Sequence, residues 1–224
     1  MMYVIACAFA ALASFMICGI PSGLIFASRL SGVDVRKSGS GNIGMTNVAR
    51  TAGGKAAGLT FAFDVGKGTV CMLLFRFLIA LFCFGGDASL MERGAAYDWI
   101  PAVMYAACVF GHVFSPYLHF HGGKGISVGF GAALGLWWPV GAGLMAVFLL
   151  LVLPTRYISL GSVAAAISLP IQCALWGFSP VAVAPVVLVA VVVVWSHREN
   201  IGRLLRGEER RFAIKHGDKP KGSK

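Results

Sequence analysis

Residues 126–153 read ISVGFGAALGLWWPVGAGLMAVFLLLVL and contain no charged side chain. A helix needs about 20 apolar residues to cross the hydrocarbon of a bilayer. The run is therefore either one overlong span or two short spans that turn at Trp137-Trp138-Pro139. Tryptophan favours the membrane interface and proline favours a turn. Charges elsewhere weigh between the two. Segment 28–57 holds Arg29, Arg36, Lys37, Arg50 and Lys55, and the residues after Ser196 hold nine Lys or Arg. Loops rich in Lys and Arg stay cytoplasmic. A single span would put the nine-cation tail outside, whereas a hairpin keeps it inside together with Thr155-Arg156. The hairpin is the expectation.

Working outward, apolar runs predict spans over roughly 3–27, 58–84, 99–114, 126–138, 140–153, 158–177 and 180–196. The expected fold is an all-α integral membrane protein of seven transmembrane helices, N-terminus outside and C-terminus cytoplasmic. Residues 1–224 form one membrane domain, with about 197–224 as a cytoplasmic basic tail. The chain is 58% hydrophobic and 12% charged, about half the charged fraction of a soluble domain. The runs are continuous and do not alternate, which argues against barrel strands. The first run lacks a basic leader and is too long for a signal-peptide core, so it reads as the first span. Segment 85–98, with Asp87, Glu92, Arg93 and Asp98, falls outside. Arg76 lies within the second span, where a charge is costly; it either pairs inside the bundle or snorkels to an interface.

The formal charge of +10 fits topology and contact with anionic membrane lipids better than nucleic acid, because no recognition module is present. Six cysteines lie in apolar runs with no Cys-x-x-Cys pair, so packing is expected, with neither disulfide nor metal.

Four segments carry polar chemistry on the predicted inner face. The first is Ser38-Gly39-Ser40-Gly41-Asn42-Ile43-Gly44-Met45-Thr46-Asn47-Val48-Ala49-Arg50. Its glycines let the backbone approach a ligand, Ser40, Asn42, Thr46 and Asn47 add neutral hydrogen-bonding groups, and Arg50 offers a fork suited to phosphate. The second is Asp64-Val65-Gly66-Lys67-Gly68 at the inner end of the second span, where a local ion pair is the favoured reading. The third is Gly111-His112 followed by His121-Gly122-Gly123-Lys124-Gly125. Glycines and a lysine before a helix make an anion site, although the nucleotide-binding spacing Gly-x-x-x-x-Gly-Lys-Ser/Thr is absent. The fourth begins His197-Arg198-Glu199-Asn200; His197 and Asn200, three apart, share a helix face, and Arg203 extends it. Ser159 and Ser162 either add hydroxyls to the same cavity or bond to their own helix.

The chain resembles the bacterial PlsY family, the acyl-phosphate:glycerol-3-phosphate acyltransferases. The resemblance rests on Ser40-Gly41-Asn42-Ile43-Gly44-x-Thr46-Asn47-x-x-Arg50, on Asp64-x-x-Lys67-Gly68, on Gly111-His112 with Gly122-Gly123-Lys124-Gly125, and on His197-Arg198-Glu199-Asn200-Ile201 with Arg203-Leu204-Leu205. It implies acyl transfer from acyl phosphate to the 1-hydroxyl of glycerol 3-phosphate, giving lysophosphatidic acid and phosphate, the first acylation of phospholipid synthesis. It implies no cofactor and no metal, a place in the bacterial inner membrane, and a functional link to an enzyme that forms acyl phosphate. Ser40, Arg50, Lys124, His197 and Asn200 become the expected catalytic set. Gly41, Asn42, Gly44, Thr46, Asn47, Gly122, Gly123, Gly125 and Ser162 become the expected substrate- and phosphate-binding set.

In that reading Lys124 and Arg50 bind phosphate groups, helped by backbone N–H groups of the glycine loops, while His197 and Asn200 orient glycerol 3-phosphate. The hydroxyl proton leaves either to a substrate phosphate or to His197. Neither Asp64, beside Lys67, nor Glu199, beside Arg198 and Arg203, reads as a free base. Acyltransferases that use thioesters carry His-x-x-x-x-Asp. The residues five beyond each histidine here are Tyr117, Lys124, Ile126, Gly202 and Lys221, and none is aspartate. The competing class is a transporter of a phosphorylated lipid, which would show internal repeats and polar groups at mid-membrane depth; neither is evident.

Overall fold

A computed structural model describes residues 1–212; the end of the basic tail, 213–224, lies outside the described residues. Among these residues every regular element is helical. In chain order the α-helices are α1 (Met2–Gly19), α2 (Ser22–Ser31), α3 (Met45–Thr51), α4 (Gly54–Cys83), α5 (Trp99–Val113), α6 (Ile126–Leu136), α7 (Trp138–Thr155), α8 (Ile158–Leu175), α9 (Pro180–Ser196) and α10 (Arg198–Leu205).

Five stretches are long and apolar enough to cross a membrane: Met2–Ser31, Gly54–Cys83, Trp99–Leu118, Trp138–Thr155 and Ile158–Leu175. A sixth joins α9 to α10 across a 57° bend. The remaining expected span, 126–138, is α6 and has only 11 residues, about 16 Å of helix against a hydrocarbon core of about 30 Å. Such a short helix is tolerated because the protein encloses it. A Cβ on Gly131 would stand 2.1 Å from the Val65 carbonyl of α4, and one on Gly68 would stand 2.6 Å from the Val128 carbonyl. These small residues let the two backbones touch, and Thr69 Oγ1 donates to the Gly131 carbonyl at 2.8 Å. The chain does turn at Trp137, which is extended (φ −162°), and Gly141 of α7 packs back on Leu134.

Arg76 resolves as an internal partner, not a snorkelling side chain. Its Nη1 donates to the carbonyls of Gly135 and Leu136 at 2.9 and 3.0 Å. These belong to the last turn of α6, where carbonyls lack intrahelical donors and the helix dipole is negative. Arg76→Met keeps the length and removes the donor. It is expected to cost about 1–3 kcal/mol, the scale of stranding buried acceptors. A lower thermal midpoint in detergent with turnover intact is the expected result.

The first span is broken where Pro21 cannot continue the helical bonding. Lys67 Nζ donates at 2.8 Å to the Ile20 carbonyl, which also accepts from the Ser22 amide, and pairs with Asp64 Oδ1 at 2.7 Å; Ser22 Oγ donates to the same Oδ1 at 2.6 Å. The ion pair expected from Asp64 and Lys67 therefore exists. It lies deeper than expected, because α4 starts at residue 54 instead of 58 and both side chains are buried. Tyr3, Phe84 and Tyr97 stack with ring centroids 4.8–6.3 Å apart, so the start of α1 shares an end of the bundle with segment 85–98.

Candidate active site

The opposite end gathers the 32–44 loop with α3, the 114–125 loop, the α7–α8 turn and the α9–α10 bend around one cavity of about 880 Å³. Every residue expected at the site lines it: Ser40, Arg50, Lys124, His197 and Asn200, with Gly41, Asn42, Gly44, Thr46, Asn47, Gly122, Gly123, Gly125 and Ser162. None of the six cysteines does.

The first loop owes its shape to Asn47. Its buried Nδ2 donates to the carbonyls of Val35, Ser38 and Asn42 at 2.9–3.0 Å, and its Oδ1 accepts from the Ser40 amide at 2.9 Å. Asn42 Oδ1 accepts from the Gly44 amide. Asn47, expected among the binding groups, thus spends its side chain on presenting Ser40. Gly39 is at φ 65°, and a Cβ there would meet Asn47 Oδ1 at 2.2 Å, so only glycine fits.

The third segment departs from its expected logic. The Gly122 and Gly123 amides were expected to face an anion, but they donate to the Val113 and His112 carbonyls at 2.9 and 3.0 Å. These two glycines serve by compactness. A Cβ on Gly122 would lie 2.0 Å from the His112 carbonyl oxygen, and one on Gly123 would lie 2.1 Å from His112 Nε2. Packing this loop onto the end of α5 is what delivers Lys124 to the cavity.

Lys124 Nζ donates to Asn200 Oδ1. Asn200 Nδ2 in turn donates to Glu209 Oε1 at 2.7 Å, Ser159 Oγ reaches the same oxygen at 3.0 Å, and Arg203 Nε meets Oε2 at 2.8 Å. Ser159 therefore reaches across to this network instead of bonding to its own helix. Glu209 escaped the sequence reading. The available signal was an acidic pair, Glu208-Glu209, inside a run of cations. Arg203 pairs with Glu209 rather than with Glu199, which is exposed, and Arg198 stacks on Trp195 at 4.3 Å. The segment carrying Glu209 is held by the Phe212 amide, which donates to the Arg156 carbonyl at 2.8 Å.

Cations crowd here. Burial first, then the charge of Arg203, lowers the Lys124 pKa from its ordinary value; burial and Arg210 do the same to Arg50. Burial works to raise the Glu209 pKa, but hydrogen bonds from Asn200, Arg203 and Ser159 outweigh it and hold the carboxylate charged. Arg50, Lys124, Arg198, Arg203 and Arg210 outnumber Glu199 and Glu209 along this wall, which leaves a positive field that an anion would relieve. His197, 3% exposed, donates Nδ1–H to the Val193 carbonyl at 2.8 Å, which leaves the Nε2 lone pair as an acceptor. Burial pushes its imidazole down to about 4, against the opposing effect of that hydrogen bond. Away from this wall the cavity turns apolar, lined by Val109, Phe130, Leu144, Phe148, Leu169 and Val193.

The family model for glycerol-3-phosphate acyltransferase matches residues 8–207. The glycerol-3-phosphate acyltransferase of Geobacter sulfurreducens is 41% identical over 199 residues, 89% of this chain and 94% of that one. That of Synechococcus sp. is 36% identical over 201 residues, 90% and 92% of the two chains. The crystal structure of PlsY (YgiH), an integral membrane glycerol 3-phosphate acyltransferase, in its glycerol 3-phosphate form is 32% identical. It superposes with a TM-score of 0.79 over 92% of this chain and 96% of that one. Its lysophosphatidic acid form superposes with a TM-score of 0.76. The cavity, its cationic wall and these similarities lead to one conclusion: the chain belongs to the glycerol-3-phosphate acyltransferase family.

Proposed function

We propose that the protein transfers an acyl group from acyl phosphate to the 1-hydroxyl of sn-glycerol 3-phosphate, giving lysophosphatidic acid and inorganic phosphate. It works in the bacterial inner membrane as a protein of seven spans, N-terminus outside, with the site facing the cytoplasm. The observation that carries this is the cavity itself, which joins a cationic wall to an apolar arm inside one membrane bundle. Two anions meet at the wall while the acyl chain lies along the arm. The donor is supplied by a reaction that makes acyl phosphate.

The hydroxyl oxygen attacks the acyl carbonyl carbon, the bond from that carbon to the phosphate oxygen breaks, and phosphate leaves. Lys124 and Arg50 offset charge growing on the leaving group. Ser40 and Asn200 position the substrates. The proton goes to a phosphate oxygen, whose second pKa of about 6 in a monoester suits it to accept near neutral pH, while burial disfavours a charged imidazolium at His197. His197 accepts the hydroxyl as a hydrogen bond and orients it.

This predicts that His197→Gln, which keeps a hydrogen bond, retains measurable activity. Its pH profile should match wild type between about pH 6 and 8, because His197 stays neutral well above its pKa. An inflection lost in the variant would make His197 the base. Glu209→Gln should lower kcat about ten- to hundredfold, the range of about 1.5–3 kcal/mol for a hydrogen bond to a charged group, since Asn200 and Arg203 lose their anchor. Steady-state kinetics at saturating substrate reads it. The reading as a whole is tested by incubating purified protein and glycerol 3-phosphate with acyl phosphate, acyl-CoA or the acyl thioester of acyl carrier protein. Lysophosphatidic acid from acyl phosphate alone supports it; turnover confined to thioesters contradicts it.

A further inference from the structure

The apolar arm of the cavity has a closed end. On α5 the lining stops at Tyr105, on α7 at Leu144, on α8 at Leu169 and on α9 at Val189. One turn further on each helix stand Ala102, Val140, Cys173 and Val186, which are sealed in the core at 0–1% exposure and do not line the cavity. On all four helices the lining thus stops against this sealed layer. Tyr105 lies two helical turns, about 10 Å, on the membrane side of His112, the residue that packs against the glycine loop. It is the largest of the fully buried side chains. Opposite it, Gly129 of α6 also lines the arm, and a Cβ there would sit 3.4 Å from the Tyr105 hydroxyl. The ring and the bare glycine therefore face each other across the floor.

The geometry points to Tyr105, seated against Gly129, as the residue that sets how long an acyl chain this enzyme accepts. The inference rests on the proposed use of the arm to hold the donor's acyl chain. A chain that ends at the ring keeps all its methylenes out of water. A longer chain must bend, or push the ring into a core that has no room to yield. Each methylene that finds apolar cover is worth about fourfold in binding, so a stop at one depth separates chains that differ by two carbons by an order of magnitude.

The two sides of the floor give opposite tests. Tyr105→Ala deepens the arm, whereas Gly129→Ala raises the floor with an ordinary van der Waals contact in a helix that favours alanine. Purified wild type and both variants are assayed for kcat/KM with acyl phosphates stepped two carbons at a time. The expected result is an optimum shifted to longer chains in Tyr105→Ala, with the ratio of longest to optimal wild-type chain raised at least about tenfold. Gly129→Ala shifts the optimum the other way. Profiles that superimpose on wild type in folded protein overturn the proposal, and Gly129→Ala decides alone if Tyr105→Ala does not fold. Wild-type protein that turns over no acyl phosphate of any length contradicts the functional reading instead. The floor is then read separately, as the chain length at which the Kd of alkyl phosphates stops improving.

Discussion

Lys124→Ala is expected to lower turnover at least about a hundredfold in a protein that still folds. The ammonium donates to Asn200 and lies in a field of like charge from Arg203 and Arg50. It is a poorly solvated cation awaiting an anion, which is the arrangement that contributes most when charge develops in a transition state. Losing one preorganised donor of this kind typically costs 10²–10³ in kcat. Removing a half-buried cation from a crowd of cations should not harm folding, and relief of repulsion should leave the thermal midpoint equal or higher. Near-normal kcat in a folded Lys124→Ala protein would sink the assignment.

Gly122→Ala should be comparably damaging for a different reason. The added methyl would stand 2.0 Å from the His112 carbonyl oxygen and 2.9 Å from that of Val113. Both are backbone atoms at the end of α5, so the loop has to lift and takes Lys124 with it. A displacement of about 1 Å in a positioned group costs about a hundredfold. Gly58→Ala is the control, because nothing lies within 4 Å of its Cβ position. Full activity in Gly122→Ala with an unshifted loop would show that the close approach does not matter.

The parts of this protein that were legible in its sequence are those written in composition. Apolar runs located the helices, and the turn at Trp137 followed from tryptophan beside proline within a run too long for one span. The glycine-rich segments of Ser40, Arg50 and Lys124 and the basic segment of His197 and Asn200 stood out as polar chemistry in so apolar a chain; the resemblance singled out these five as the catalytic set, and all of them line one cavity. What stayed hidden depends on tertiary contact. Nothing local shows that Gly122 and Gly123 spend their amides on α5, or that the carbonyls stranded at the end of α6 are what Arg76 serves. Glu209 was missed because its importance comes from a chain that folds back to Arg156, and its neighbours read as a solvated basic surface. The break at Pro21 was likewise lost inside a continuous apolar run, since its compensation by Lys67 comes from 47 residues away.

If one cavity holds phosphate at its cationic wall and an acyl chain in its arm, a crystal structure of the protein with lysophosphatidic acid will show both. The phosphate is expected within hydrogen-bonding distance of cationic side chains of the Lys124–Arg50 wall. The ester is expected near His197 Nε2, and the tail inside the bundle along Phe148 and Leu169 toward Tyr105. A phosphate bound away from Lys124 and Arg50, or a tail lying on the outer surface of the helices with the arm empty, would contradict that arrangement.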